Sequence, residues 1–152
     1  MKLKKRAVSG SERILIKKII WIDKSNDIIE SYIDALQIDS LATFIQCCDF
    51  EVAEEIISSR KDIDAVITNY CTFFWHERLI RENYKMSPNV FDFLEKVIYK
   101  NQTIHFFLFS SIANSYEQID KYKALKNFYF INKNSGQLLR KKLQILIFEN
   151  KS

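Results

Sequence analysis

The sequence predicts an α/β domain in which a five-stranded parallel sheet is covered by helices on both faces. Three observations carry that expectation. Short apolar runs alternate with segments whose apolar residues recur at helical spacing, which is the mark of successive βαβ units. The strand candidates are apolar on both sides, as a sheet buried on two faces requires. With one proline and two glycines in 152 residues, no Pro- or Gly-rich linker divides the chain, and one compact unit is expected.

Each element follows from its residues. Lys18 to Asp23 reads as the first strand. Residues Asn26 to Leu36 place Ile28, Ile29, Tyr32, Ile33 and Leu36 on one helical stripe, opened by the polar Ser25 and Asn26. Thr43 to Cys47 is the second strand, and Asp49 to Ser58 a helix carrying Val52, Ala53, Ile56 and Ile57. Ala65 to Thr68 is the third strand. After a long connection, Pro88 stands where a helix's first turn accepts proline, and Val90, Phe91, Leu94, Val97 and Ile98 form an apolar stripe. Thr103 to Phe109 is the fourth strand. The helix from Tyr116 to Lys126 is mostly polar, which suits a solvent-facing element. Phe128 to Ile131 is the fifth strand. The last helix, Ser135 to Phe148, has Leu139, Leu143 and Leu146 on one stripe, while Leu138, Ile145, Ile147 and Phe148 widen it. That surplus suits a partner or packing on the N-terminal arm.

Composition narrows the function classes. Hydrophobic residues at 47% and charged residues at 28% are ordinary for a soluble globular domain. No apolar run approaches the roughly 18 residues of a membrane span, and the start lacks a secretory apolar core, so a cytoplasmic protein is expected. Cys47, Cys48 and Cys71 are too few and too awkwardly spaced for a disulfide framework, which fits a reducing compartment. The only histidines are His76 and His105, without Cys-x-x-Cys or His-x-x-x-His spacing, so neither a metal site nor a cofactor is expected. His105, inside an apolar strand, reads as a core residue with one satisfied nitrogen. The net charge of +4 is uneven: residues 1–18 carry +6 and the remainder −2. Residues 1–17 therefore form a basic arm and residues 18–150 the domain. Without a basic domain behind the arm, nucleic-acid binding is not expected.

In an open parallel sheet, function gathers at the carboxyl ends of the strands. Those positions hold Asp23 and Lys24 after the first strand, Asn69 after the third, Ser110 and Ser111 after the fourth, and Lys133 after the fifth. Ile19-Ile20-Trp21-Ile22-Asp23-Lys24 resembles the strand bearing the acidic pair of response-regulator receiver domains. Asp62 to Asn69 resembles the strand that ends in their phosphoacceptor aspartate. Leu108-Phe109-Ser110-Ser111 resembles the strand ending in Thr or Ser, and Phe130-Ile131-Asn132-Lys133 the last strand with its switch aromatic and lysine. The resemblance runs from Ile19 to Leu146. It implies a flavodoxin-like (βα)5 doubly wound fold, CheY-like, with strand order 2-1-3-4-5 and an extended loop after strand 3.

The resemblance also implies a site and shows where this chain departs from it. In receivers the acidic pair and the phosphoacceptor hold Mg²⁺, the aspartate attacks a phosphodonor, and Thr/Ser and Lys bind the phosphoryl group. Here Asn69 offers a neutral amide oxygen, a poor nucleophile. Lys24 takes the second acidic position. A unit charge pair at about 4 Å interacts with ~4 kcal/mol at an effective dielectric near 20, and a divalent ion would meet twice that as repulsion before screening. Asn134 replaces the usual proline after the lysine, so a trans peptide is expected there, and Val90 stands where a glycine commonly opens the third helix.

The relic phosphoryl pocket is thus expected at Asp23, Lys24, Asn69, Ser110 and Lys133, with Phe130 as the switch position and no catalytic residue. Twenty residues, Tyr70 to Asn89, follow the third strand, against the 2–6 usual in a βα loop. Phe73, Phe74 and Trp75 could fold over the strand ends as a lid, project toward a partner, or pack on the core. His76 belongs with that segment and is not expected to be catalytic. The leading reading is an atypical receiver-like module of the two-component or phosphorelay type. It would act through contacts with a signalling or histidine-kinase-related protein, with a homodimer as a further option. One alternative is a regulatory domain binding a small anion at Lys24, Lys133 and Ser110. Another is a conventional phospho-accepting receiver with Asp64 as the acceptor, although Asp64 precedes its strand and would fall at the sheet's opposite end. An enzyme is not expected, because no nucleophile–base pair stands out.

Overall fold

The computed structural model describes residues 17–69, 90–111 and 116–149, with only the backbone for 116–118 and 148–149. The five strands are β1 (Lys18–Ile22), β2 (Thr43–Cys47), β3 (Ala65–Thr68), β4 (His105–Ser110) and β5 (Phe128–Asn132). All pair in parallel, in the order β2-β1-β3-β4-β5. The helices are α1 (Asn26–Leu36), α2 (Phe50–Ser59), α3 (Val90–Val97), α4 (Tyr116–Lys123) and α5 (Gly136–Glu149). The α/β doubly wound class and its strand order match the sequence-based expectation.

Alternation along the strands builds two cores. Ile20, Ile22, Val66, Phe106, Leu108 and Phe128 face one side, where α2, α3 and α4 supply Ala53, Ile57, Phe93, Leu94 and Tyr122. Ile19, Trp21, Ala65, Ile67, Phe107 and Phe109 face the other, against Ile29 and Ile33 of α1 and Leu139 and Leu143 of α5. Gly136 lets α1 and α5 approach closely, because a Cβ there would lie 2.8 Å from Leu36 Cδ2. Side-chain caps set two helix starts: Ser25 Oγ accepts from the Ile28 N–H at 3.2 Å and Asp49 Oδ1 from the Val52 N–H at 2.8 Å. Among the described residues no helix is long and apolar enough to cross a membrane.

Several boundaries differ from expectation, each for a local reason. Asp49 caps α2 instead of beginning it. β4 starts at His105 and includes Ser110. The preceding residues form a turn in which the Ile104 N–H donates to the Asn101 carbonyl at 3.0 Å. Asn127 Nδ2 donates to the Ile104 carbonyl at 3.0 Å, which holds that turn outside the ladder. α4 stops at Lys123, and the Leu125 N–H closes a tight turn on the Tyr122 carbonyl. A 3₁₀ turn, Lys133–Ser135, precedes α5. His105 is half-buried at a strand start, not a full core residue, and its Nδ1 lies 3.1 Å from the Tyr129 hydroxyl. On α5, Leu139, Leu143 and Leu146 are buried as expected, while Leu138 and Ile145 stay exposed. Cys47 is buried and Cys48 exposed, both as free thiols. The arm over residues 1–16, Pro88, Cys71, and the segment with Phe73, Phe74, Trp75 and His76 lie outside the described residues.

A polar clamp joins α3 to α4. The Tyr122 hydroxyl donates to the Glu95 carboxylate, and Lys121 Nζ reaches the same oxygen at 2.5 Å. Lys121, then Tyr122, hold the Glu95 carboxyl below its ordinary value. Its contribution to stability is therefore present above the ordinary glutamate value and is lost as pH falls through the folded one. Urea unfolding should show Glu95→Gln less stable than the native chain near pH 5 and progressively closer to it toward pH 2, roughly the window in which a lowered carboxylate titrates. A difference that stays constant across that range would refute the clamp's electrostatic role.

Candidate functional site

The sheet register assembles a polar site at the carboxyl ends of the strands. Ile22 pairs with Thr68 across β1 and β3, so Asp23 and Asn69 leave neighbouring strands at one level. Two ladder-extending bonds fix them there: the Asp23 N–H donates to the Cys47 carbonyl and the Asn69 N–H to the Ile22 carbonyl, both at 3.1 Å. Ser110 pairs with Asn132 across β4 and β5, which brings the following residue, Lys133, to the same end. Asn132 Oδ1 accepts from the Asn134 N–H at 2.8 Å, turning the chain into the 3₁₀ segment. No cis peptide occurs among the described residues, as expected at Asn134.

Asp23 is 1% exposed, and a carboxylate so placed must be compensated. Its Oδ1 accepts from the Lys24 backbone N–H at 2.7 Å and from Asn69 Nδ2 at 3.3 Å. Lys133 Nζ lies 3.8 Å from Oδ2 and 5.4 Å from the centre of the Tyr32 ring. Burial pushes the Lys133 ammonium below its ordinary pKa, Asp23 opposes that shift, and Lys24 adds to it. Tyr32 is itself held in place by stacking on Trp21, at 6.0 Å between ring centres, and by an edge contact with Phe109 at 5.3 Å. Burial, then Asp23, raises the Tyr32 hydroxyl's pKa.

Asp23, Lys24, Asn69 and Lys133 thus lie together at the carboxyl ends of the strands. Ser110 ends β4 within the strand, 1% exposed. Phe130 lies on β5, half-buried against the α2, α3 and α4 core. Asp64 lies at the opposite end of the sheet, where its carboxylate accepts from the Lys18 N–H at 2.9 Å and pairs with Lys17 at 3.8 Å. Cys47 sits at the end of β2 near Asp23, but burial, followed by Asp49, pushes its thiol up to about 11, which leaves it protonated and a weak nucleophile at neutral pH. Tyr32 was missed as a site residue. Its only signal is an aromatic on the apolar stripe of α1, which packing alone explains.

Solved structures share this fold. A response-regulator receiver domain from Clostridium thermocellum superposes with a TM-score of 0.66 at 17% identity, over 90% of this chain and 98% of that one. The chain has the receiver fold. A CheY-like receiver domain from Methanospirillum hungatei gives 0.65 at 14% identity, covering 89% of this chain and 96% of that one. TrrA of Thermotoga maritima, a response regulator solved with Mg²⁺ and BeF, gives 0.62 at 16% identity, over 86% and 99%. No family model and no curated protein matches the sequence.

The Mg²⁺ that the receiver resemblance implies can be tested against the residues present. Mg²⁺ takes oxygen ligands in strict octahedral geometry and is usually held by carboxylates and water. Of the residues that directly follow the described strands only Asp23 is a carboxylate, and its Oδ1 already accepts two N–H donors while its Oδ2 faces an ammonium; Asp49, two residues past β2, is engaged as the cap of α2. No group of three or more acidic, histidine or cysteine side chains suited to a metal occurs among the described residues. The described donor set does not fit the ion.

The balance around Lys133 predicts opposite effects of its two neighbours. Removing the Asp23 charge with Asp23→Asn should lower the Lys133 pKa, and removing the Lys24 charge with Lys24→Gln should raise it. NMR titration of the Lys133 side-chain Cε resonance reads both. Shifts in the same direction for the two variants would refute this account.

Proposed function

We propose that the domain is a cytoplasmic signalling module of the two-component or phosphorelay type that is not phosphorylated at the strand-end position held by Asn69. It works through contacts with a protein partner and performs no catalysis of its own. One observation carries the reading: the buried Asp23 carboxylate is compensated internally by Asn69 Nδ2, the Lys24 N–H and Lys133. In a receiver that takes up a phosphoryl group, such a carboxylate is left to a metal ion, and the position of Asn69 supplies an anionic nucleophile. Here the amide that replaces the nucleophile is also a donor to the carboxylate. The arrangement satisfies itself without a ligand.

A switch that needs no phosphoryl trigger leaves its partner-binding surface permanently available. The exposed Leu138 and Ile145, seven residues apart on α5, favour that helix as part of the contact, either with a signalling protein or with a second copy. The two lysines around one carboxylate favour, as a second reading, a small anion held at Lys24 and Lys133.

Incubation with Mg²⁺ and acetyl phosphate or phosphoramidate should leave the intact mass unchanged. A labile adduct of about 80 Da, the mass of a phosphoryl group, on Asp23 or any other aspartate would overturn the proposal. Restoring carboxylates with Lys24→Asp and Asn69→Asp together should create Mg²⁺ affinity measurable by titration of Trp21 fluorescence. If the double variant folds and still ignores Mg²⁺, the missing carboxylates are not what keeps the ion out.

A further inference from the structure

At the amino end of the sheet, away from Asp23 and Lys133, a cleft of about 460 Å³ opens between the end of α2 and the turn before β4. Its volume lies in the range of small-molecule sites, roughly 300–1,000 Å³. Ile57, Ile63 and Ile104 line it with apolar surface, and Arg60, Lys61 and Lys100 surround it with positive charge. The pre-β4 turn that walls it is held by the Asn127 amide bond to the Ile104 carbonyl, so the concavity is built into the fold.

The charges are available. Lys61 and Lys100 are exposed and make no ion pair with any described residue. Arg60 donates through Nε and NH2 to the two oxygens of Asp62, at 2.9 and 2.8 Å, which orients the guanidinium and leaves other N–H donors uncommitted. Asp62 and Asp64 flank the lining residue Ile63, and both charges are engaged, Asp62 by Arg60 and by Lys18 at 3.3 Å and Asp64 by Lys17 at 3.8 Å. The Ser58 and Thr103 hydroxyls also line the cleft. That is more donor capacity and charge than a lone carboxylate uses. It suits a phosphate monoester, with three acceptor oxygens and roughly two negative charges, on an organic body that meets a floor of Ile57, Ile63 and Ile104, each 4–5% exposed.

We propose that this cleft binds an organic phosphate of nucleotide size, with its phosphate between Lys61 and Lys100 and its apolar part against Ile57, Ile63 and Ile104. The site is independent of the strand-end pocket and of whether that pocket accepts phosphoryl groups.

Amide NMR titration of the full chain with adenosine monophosphate, inorganic pyrophosphate and a short deoxythymidine oligonucleotide tests it. Adenosine monophosphate should give saturable shifts at Ile57, Lys61 and Ile104 and none at Asp23 or Asn69. The exposed double variant Lys61→Gln, Lys100→Gln should keep its circular dichroism spectrum and bind roughly ten-fold more weakly, the scale expected from two exposed charge contacts. The control Lys123→Gln, on the exposed face of α4 and outside both sites, should bind as the native chain does. Absence of saturable shifts with adenosine monophosphate, or shifts confined to Lys24 and Lys133, would overturn the site. Pyrophosphate binding as tightly as adenosine monophosphate would overturn the role of the apolar lining. Oligonucleotide binding without mononucleotide binding would replace a small-molecule site with a nucleic-acid surface.

Discussion

Burial of one carboxylate organises the strand-end half of this domain. Asp23 lies 1% exposed at the end of β1, an interior strand of the sheet, where an uncompensated charge would cost several kcal/mol. Its compensation comes from three chain segments: the Lys24 backbone beside it, Asn69 after β3, and Lys133 after β5. Each must be held at one level for the carboxylate to tolerate its position. The parallel register does that, and the site is therefore a consequence of sheet pairing as much as of the side chains in it.

Asn69 shows why an amide and a carboxylate are not interchangeable at such a position. Its Nδ2 is a donor and its oxygen an acceptor, so it can give a hydrogen bond to Asp23 where an aspartate would repel it. A carboxylate at both positions would present two negative charges across adjacent strands and would demand a cation. With Asn69, the Lys133 ammonium and the Lys24 N–H suffice. Lys133 in turn depends on Tyr32 beneath it, and Tyr32 on Trp21 and Phe109, so the apolar core on the α1 and α5 side sets the position of the cation. Substitutions in that aromatic group should therefore reach the polar site through packing alone.

Much of this was legible in the sequence, for reasons tied to particular residues. β3 reads cleanly because Ala65 to Thr68 is apolar enough for burial on both faces and is followed at once by Asn69. α1 reads cleanly because Ser25 caps it and Ile29, Ile33 and Leu36 share a stripe. β4 was misplaced toward Thr103 because β-branched and apolar residues precede His105. What excludes them from the strand is a long-range bond from Asn127, which lies 23 residues from Ile104 and leaves no local trace. α4 was drawn too long because its charged residues carry no apolar period to mark an end. Tyr32 escaped notice as a site residue because a ring that packs and a ring that also supports a cation occupy the same position in the pattern.

The two ends of the sheet are built on opposite logic. At the carboxyl end, buried charges are paired with one another and the arrangement closes on itself. At the amino end, Asp62 and Asp64 take Arg60, Lys17 and Lys18 as partners, while Lys61 and Lys100 remain exposed beside a cleft lined by three isoleucines. Exposed cations that pair with no described residue add little to folding, since surface charges are worth about 1 kcal/mol or less even when paired. Packing therefore does not account for their grouping. The carboxyl end is thus closed by its own side chains, whereas at the amino end a cleft and uncommitted cations lie together.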